Sequence, residues 1–126
     1  MPALSILYVE DNDDLRATVA ELIEGDGRQV LALPNAEQAL AAWAAQPFDV
    51  LMTDISLPGI SGTELARRVL ADRPRQWVVF CSGYAEVPAL IRLGPNVRAI
   101  PKAFDIDQLD ALMAEIEQAL AAPPIT

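Results

Sequence analysis

Histidine is missing from this chain of 126 residues, cysteine and lysine occur once each, and basic side chains are few, 9 Lys+Arg against 18 Asp+Glu. Without histidine there is no Ser-His-Asp or Cys-His nucleophile system, no His-ligated zinc and no imidazole general base. With a lone cysteine, Cys81, no internal disulfide can form, which fits a reducing compartment. A net charge of −9 argues against a nucleic-acid or anionic-membrane surface, because both need clustered lysine and arginine. No charged-then-apolar leader opens the chain, and no run of about 18 apolar residues occurs. These absences predict a soluble cytoplasmic domain. Its chemistry must run on carboxylates, hydroxyls, backbone amides and Lys102.

What is present is organised by hydropathy. Short, mostly continuous apolar runs cover Ser5 to Val9, Gln29 to Leu33, Asp49 to Met52, Trp77 to Cys81 and Val97 to Ile100. Continuous rather than alternating runs of this length predict parallel strands covered on both faces. Between them lie stripes of helical spacing: Leu15, Val19, Leu22 and Ile23; Ala39, Leu40, Trp43 and Ala44; Leu65, Ala66, Val69 and Leu70. The last and longest stripe is Leu109, Leu112, Met113, Ile116 and Leu120. Ser61 to Glu64 and Asp105 to Gln108 fit capping boxes, while Gly25, Gly27 and Gly94 follow helix ends. Pro88 fits only a first helical turn and Gly94-Pro95 stops the segment, so the fourth helix is predicted to be short. Alternating strands and helices imply an α/β fold with a doubly wound parallel sheet and helices on both faces. One domain spans residues 1–126, with a core from about 4 to 121 and a short tail at 122–126.

Sites in open parallel sheets form beyond the carboxyl ends of the strands. Glu10 and Asp11 follow the first run, Asp54 the third, Ser82 the fourth and Lys102 the fifth. The charge is lopsided in the same sense: residues 1–64 carry 2 basic and 11 acidic side chains. Three carboxylates in one pocket call for a cation, and an all-oxygen set with retained water suits Mg²⁺. With an ammonium and a hydroxyl opposite, the set is equipped to hold a phosphoryl group, which a carboxylate could receive as an aspartyl phosphate.

Ile6 to Asn12, Leu51 to Gly62 and Val79 to Gly83, together with Lys102, resemble the signatures of the receiver domain of two-component response regulators. The likeness extends from residue 4 to about 121. It implies a flavodoxin-like sheet of order 2-1-3-4-5, with Asp54 as phosphoacceptor. Mg²⁺, or Mn²⁺ in its place, would be held by Asp11, Asp54 and the Ser56 carbonyl, with Glu10 acting mostly through water. Ser82 would be the hydroxyl that turns toward the phosphoryl group and Lys102 its ion-pairing lysine. The donor would be a phosphohistidine on a histidine kinase or histidine phosphotransfer protein. Output would be a phosphorylation-dependent contact with a downstream protein, or service as a phosphorelay shuttle, and not enzymatic turnover.

Four departures bear on the output, the short fourth helix among them. Ala103 stands where the family usually has a cis proline after the lysine, and a cis bond there would cost about 2.5–4 kcal/mol, so trans is expected. Ala99 stands where the family often has a switch aromatic. The hydroxyl is serine rather than the commoner threonine. Phe80 to Tyr84 resembles the motif of certain stand-alone receivers and offers Tyr84 as a substitute switch. Two alternatives follow: a degenerate receiver acting as a binding scaffold, and a Mg²⁺-dependent phosphohydrolase with an aspartyl-phosphate intermediate. The second is disfavoured because Ser56, not an acid, lies two residues after Asp54.

Overall fold

A computed structural model describes residues 4–24, 28–81, 87–101 and 106–121. Five strands, β1 (Ser5–Val9), β2 (Gln29–Leu33), β3 (Val50–Asp54), β4 (Trp77–Cys81) and β5 (Val97–Ile100), pair in parallel in the order β2-β1-β3-β4-β5. The connecting helices are α1 (Asp13–Glu24), α2 (Ala36–Ala45), α3 (Gly62–Asp72), α4 (Val87–Leu90) and α5 (Ile106–Ala121). The short fourth helix is as expected: one turn, continued as a 3₁₀ turn over Ile91–Leu93 and closed by Gly94.

Strand alternation divides the core between two layers. Ile6, Tyr8, Val50, Met52, Val79 and Ile100 pack under Val19 and Ile23 of α1 and Leu109, Met113 and Ile116 of α5. Leu7, Val9, Leu51, Val78, Phe80 and Val97 pack under Ala36, Ala39, Leu65, Val69 and Leu90. Burial on both faces is why β3 and β4 read as unbroken apolar runs. Trp77 and Cys81 are buried with them, and the Arg98 guanidinium stacks 4.9 Å over the Trp77 ring.

Several expectations are corrected. β3 starts one residue later than the apolar run, because the Asp49 carboxylate accepts bonds from the Ser5 amide (2.9 Å) and hydroxyl (3.2 Å). It also runs two residues further, through Thr53 and Asp54, which pair with Phe80 and Cys81. Leu22 and Leu120, assigned to buried stripes, are exposed, as is Ala44. Leu22 flanks a stripe narrowed to Val19 and Ile23. The 16 residues of α5 make about 24 Å of helix against about 17 Å for a five-residue strand, so the turn bearing Leu120 overruns the sheet. Ser61 caps α3 as expected, its hydroxyl accepting from the Glu64 amide at 3.1 Å. Gly25, Gly27, the Asp105 cap, the Lys102–Ala103 bond and the 122–126 tail lie outside the described residues.

Candidate functional site

The site begins where β1 and β3 end side by side. Val9 pairs with Thr53, which sets Glu10 and Asp11 beside Asp54 at the carboxyl edge of the sheet. One carboxylate oxygen from each of Glu10, Asp11 and Asp54 lies within 4.8 Å of the others. Glu10 and Asp54 are buried, at 2% and 5% exposure, while Asp11 faces solvent. At that spacing two buried carboxylates repel by about 3 kcal/mol at an effective dielectric of 20, roughly what one charge-assisted hydrogen bond restores. The donor set is all oxygen, half sunk and half open, and it suits a hard divalent cation such as Mg²⁺ or Mn²⁺.

Local bonds fix the strand ends that carry the carboxylates. Asn12 caps α1, its side-chain oxygen accepting from the Leu15 amide at 2.9 Å, while its own amide donates to Glu10 Oε2 at 3.1 Å. Arg16 reaches back one turn, donating to the Glu10 carbonyl at 2.9 Å and to Asp13 Oδ1 at 2.7 Å. Asp13 and Asp14 occupy the first turn of α1, where they complement the helix dipole and stay apart from the cluster. Asp54 is held from the other side. The Thr53 hydroxyl donates to its carbonyl at 2.8 Å, and the Gly62 amide donates to the Ile55 carbonyl at 2.8 Å.

Tyr8, a strand residue by its hydropathy, belongs to the floor of the site. It lies on the same strand face as Glu10, two residues away, and is 2% exposed. Burial, reinforced by the negative surroundings of Cys81, Glu10 and Asp54, pushes its phenol far above its ordinary value, so it stays a neutral hydroxyl. A tyrosine two positions before paired acids in a buried strand was the available signal. Ser56 lies on the surface two residues beyond Asp54, with its carbonyl in the loop that leads to α3. β4 ends at Cys81, the ladder partner of Asp54, and β5 at Ile100, the partner of Cys81. Ser82, Tyr84, Lys102 and Ala103 lie outside the described residues. Ala99 is half-buried in β5 beside Phe80, so no aromatic fills that position.

The sequence profile of the response regulator receiver domain matches residues 6–114. The chain belongs to that family. Response regulator receiver protein CpdR of Brucella abortus is 32% identical over 123 residues, covering 93% of this receiver domain and 97% of CpdR. Virulence sensor protein BvgS of Bordetella pertussis is 41% identical over 69 residues, 55% of this chain but only 6% of BvgS. A receiver domain from Clostridium thermocellum superposes with a TM-score of 0.81 at 20% identity, over 94% of this chain and 99% of its own, a likeness of fold. Receiver domains are signalling domains and not classical enzymes. No helix among the described residues is long and apolar enough to cross a membrane.

Proposed function

We propose that this receiver domain accepts a phosphoryl group onto Asp54 from a phosphohistidine of a histidine kinase or histidine phosphotransfer protein. The observation that carries the proposal is the grouping of Glu10 and Asp11 with Asp54 at the carboxyl edge of β3. Asp11, Asp54 and the Ser56 carbonyl would hold Mg²⁺, with Glu10 contacting it through water. Bound there, the cation would neutralise charge between the acceptor carboxylate and the incoming phosphoryl oxygens.

Within that frame the chain supplies positioning. An Asp54 carboxylate oxygen forms the new O–P bond in line as the donor P–N bond breaks. The electron pair returns to the imidazole nitrogen, which takes up a proton. Lys102 and the Ser82 hydroxyl engage the transferred phosphoryl oxygens. Burial of Asp54 at the strand end limits the water that can reach its carboxylate.

Output runs through phosphorylation-dependent binding of a downstream protein or through onward transfer in a relay, in the cytoplasm. Residues 1–126 act as one receiver. Ala99 and Ala103 favour a route other than the aromatic switch, with Tyr84 in its place. They also motivate a second reading, a binding scaffold that no longer turns over.

Phosphoramidate, which presents the same P–N bond, tests the transfer. With Mg²⁺ it should shift the protein on a phosphate-affinity gel, and EDTA should abolish the shift. Labelling that is indifferent to EDTA would remove the metal from the account. No labelling, where a control receiver is modified, would favour the scaffold.

A further inference from the structure

The loop between β3 and α3 carries the Ser56 carbonyl, and one side chain from another helix braces it. Glu37 stands in the first turn of α2, which Asn35 caps by accepting from the Gln38 amide at 2.9 Å. Its carboxylate crosses to the loop, and Oε1 accepts the backbone N–H of Ile60 at 3.3 Å. The neighbouring residue shapes the space for it. Gly59 has φ +73, the only positive value among the described residues, and a Cβ there would stand 2.6 Å from Glu37 Oε1. Glycine therefore serves twice at this point: it adopts the left-handed turn without strain, and it leaves room for the carboxylate. The next fixed point is the Gly62 amide on the Ile55 carbonyl at 2.8 Å. Ser56 is held between Asp54 and these two anchors.

A glutamate in the first turn of a helix needs no partner, since the helix dipole already favours it. Glu37 nonetheless gives up side-chain freedom to bond a residue 23 positions away, across two elements. We infer that Glu37 is a positioning residue for the cation site: it sets the backbone of the Ser56 loop and so the affinity for Mg²⁺. The inference rests on the Mg²⁺ reading given under Proposed function. Glu37 does not join the carboxylate cluster, and its effect passes through the Ile60 amide. Partners bonded directly to a metal ligand typically change affinity by about 10–100-fold when removed, and Glu37, which acts through the backbone to Ser56, belongs at the low end of that range.

Calorimetric titration of MgCl₂ into wild type, Glu37→Ala, Glu37→Gln and Asp11→Asn decides the matter, with a thermal melt of each. Glu37→Ala should bind Mg²⁺ on the order of tenfold more weakly, the low end of that range because the ligand is four residues from the anchor. Glu37→Gln keeps an acceptor oxygen and should bind close to wild type. Gly59→Ala should weaken binding in wild type both by displacing the carboxylate and by straining the left-handed turn, so its effect should shrink but persist in the Glu37→Ala background. Wild-type affinity in Glu37→Ala would overturn the inference while leaving the Mg²⁺ reading intact, provided Asp11→Asn has lost binding. Equal weakness in Glu37→Gln and Glu37→Ala would also overturn it, because charge and not the bond to Ile60 would then be responsible. Failure of wild type itself to bind Mg²⁺ would overturn the reading beneath both.

Discussion

Gly62 and Asp54 meet so closely that a Cβ on Gly62 would stand 1.8 Å from the Asp54 carbonyl oxygen. The start of α3 is thereby pressed against the backbone of the proposed phosphoacceptor. Any side chain at position 62 must push the helix or the strand end away, and neither the atom met nor its neighbours are flexible. Gly62→Ala should therefore destabilise by about 2–3 kcal/mol, the upper part of the range for overpacked sites. Urea denaturation measures this. A loss of a few tenths would show that α3 floats free of Asp54.

Tyr8 gives a pH signature. Its proton is held far more tightly folded than unfolded, where the ordinary value is 10.0. Below pH 10 both states keep the proton and no dependence arises. Above it the unfolded chain releases the proton while the fold retains it, so stability falls with rising pH, by up to about 1.4 kcal/mol per unit. Tyr8→Phe should remove that share of the alkaline loss. The difference in melting temperature between the two proteins should be constant from pH 8 to below pH 10 and should shift in favour of Tyr8→Phe between pH 10 and 11. Parallel curves throughout would place the hydroxyl in contact with solvent.

Metal binding should appear as stability. A ligand that binds only the folded state adds about 2.7 kcal/mol at one hundred times its dissociation constant. Saturating Mg²⁺ should raise the melting temperature of wild type and leave Asp11→Asn unmoved. Because Asp11 is exposed, its substitution should cost the apo fold little or even relieve repulsion. An equal rise in both proteins would remove Asp11 from the ligand set.

Arg28 makes a different prediction. Its side chain is 7% exposed at the foot of β2, with Glu117 at 3.3 Å and Asp110 at 3.6 Å on α5. Both carboxylates are nearly half exposed, so solvent screens them, and removing them should cost less than the 3–5 kcal/mol of a fully buried pair. The double variant Asp110→Ala/Glu117→Ala should lose about 1–2 kcal/mol. Arg28→Leu should lose less, because the leucine needs no charge desolvated and the two carboxylates it leaves are open to water. The reverse order in chemical denaturation would contradict this account.

The α/β architecture, one parallel sheet with helices on both faces, was legible because strands buried on both faces leave unbroken apolar runs, as in Trp77 to Cys81. Ser61 and Gly94 marked helix limits because capping is local chemistry. The length of β3 was not legible: Thr53 and Asp54 are polar, and hydropathy ends the strand where the ladder does not. Glu10, Asp11 and Asp54 could be grouped from the rule that strands of an open sheet point their carboxyl ends at one edge. Glu37 and Gly62 could not, since each acts through a contact between residues separated in sequence, while Tyr8, two positions before the paired acids, carries a signal that hydropathy alone passes over. Arg28 shows the same limit, for a buried arginine looks like any other until its partners on α5 are in place.

The most direct test is intact-mass spectrometry of wild type and Asp54→Asn after incubation with Mg²⁺ and acetyl phosphate. A single phosphoryl adduct on wild type, absent from Asp54→Asn, is the predicted result. An adduct that persists on Asp54→Asn, or a wild type that stays unmodified while a control receiver is labelled, would contradict the assignment of Asp54 as the acceptor.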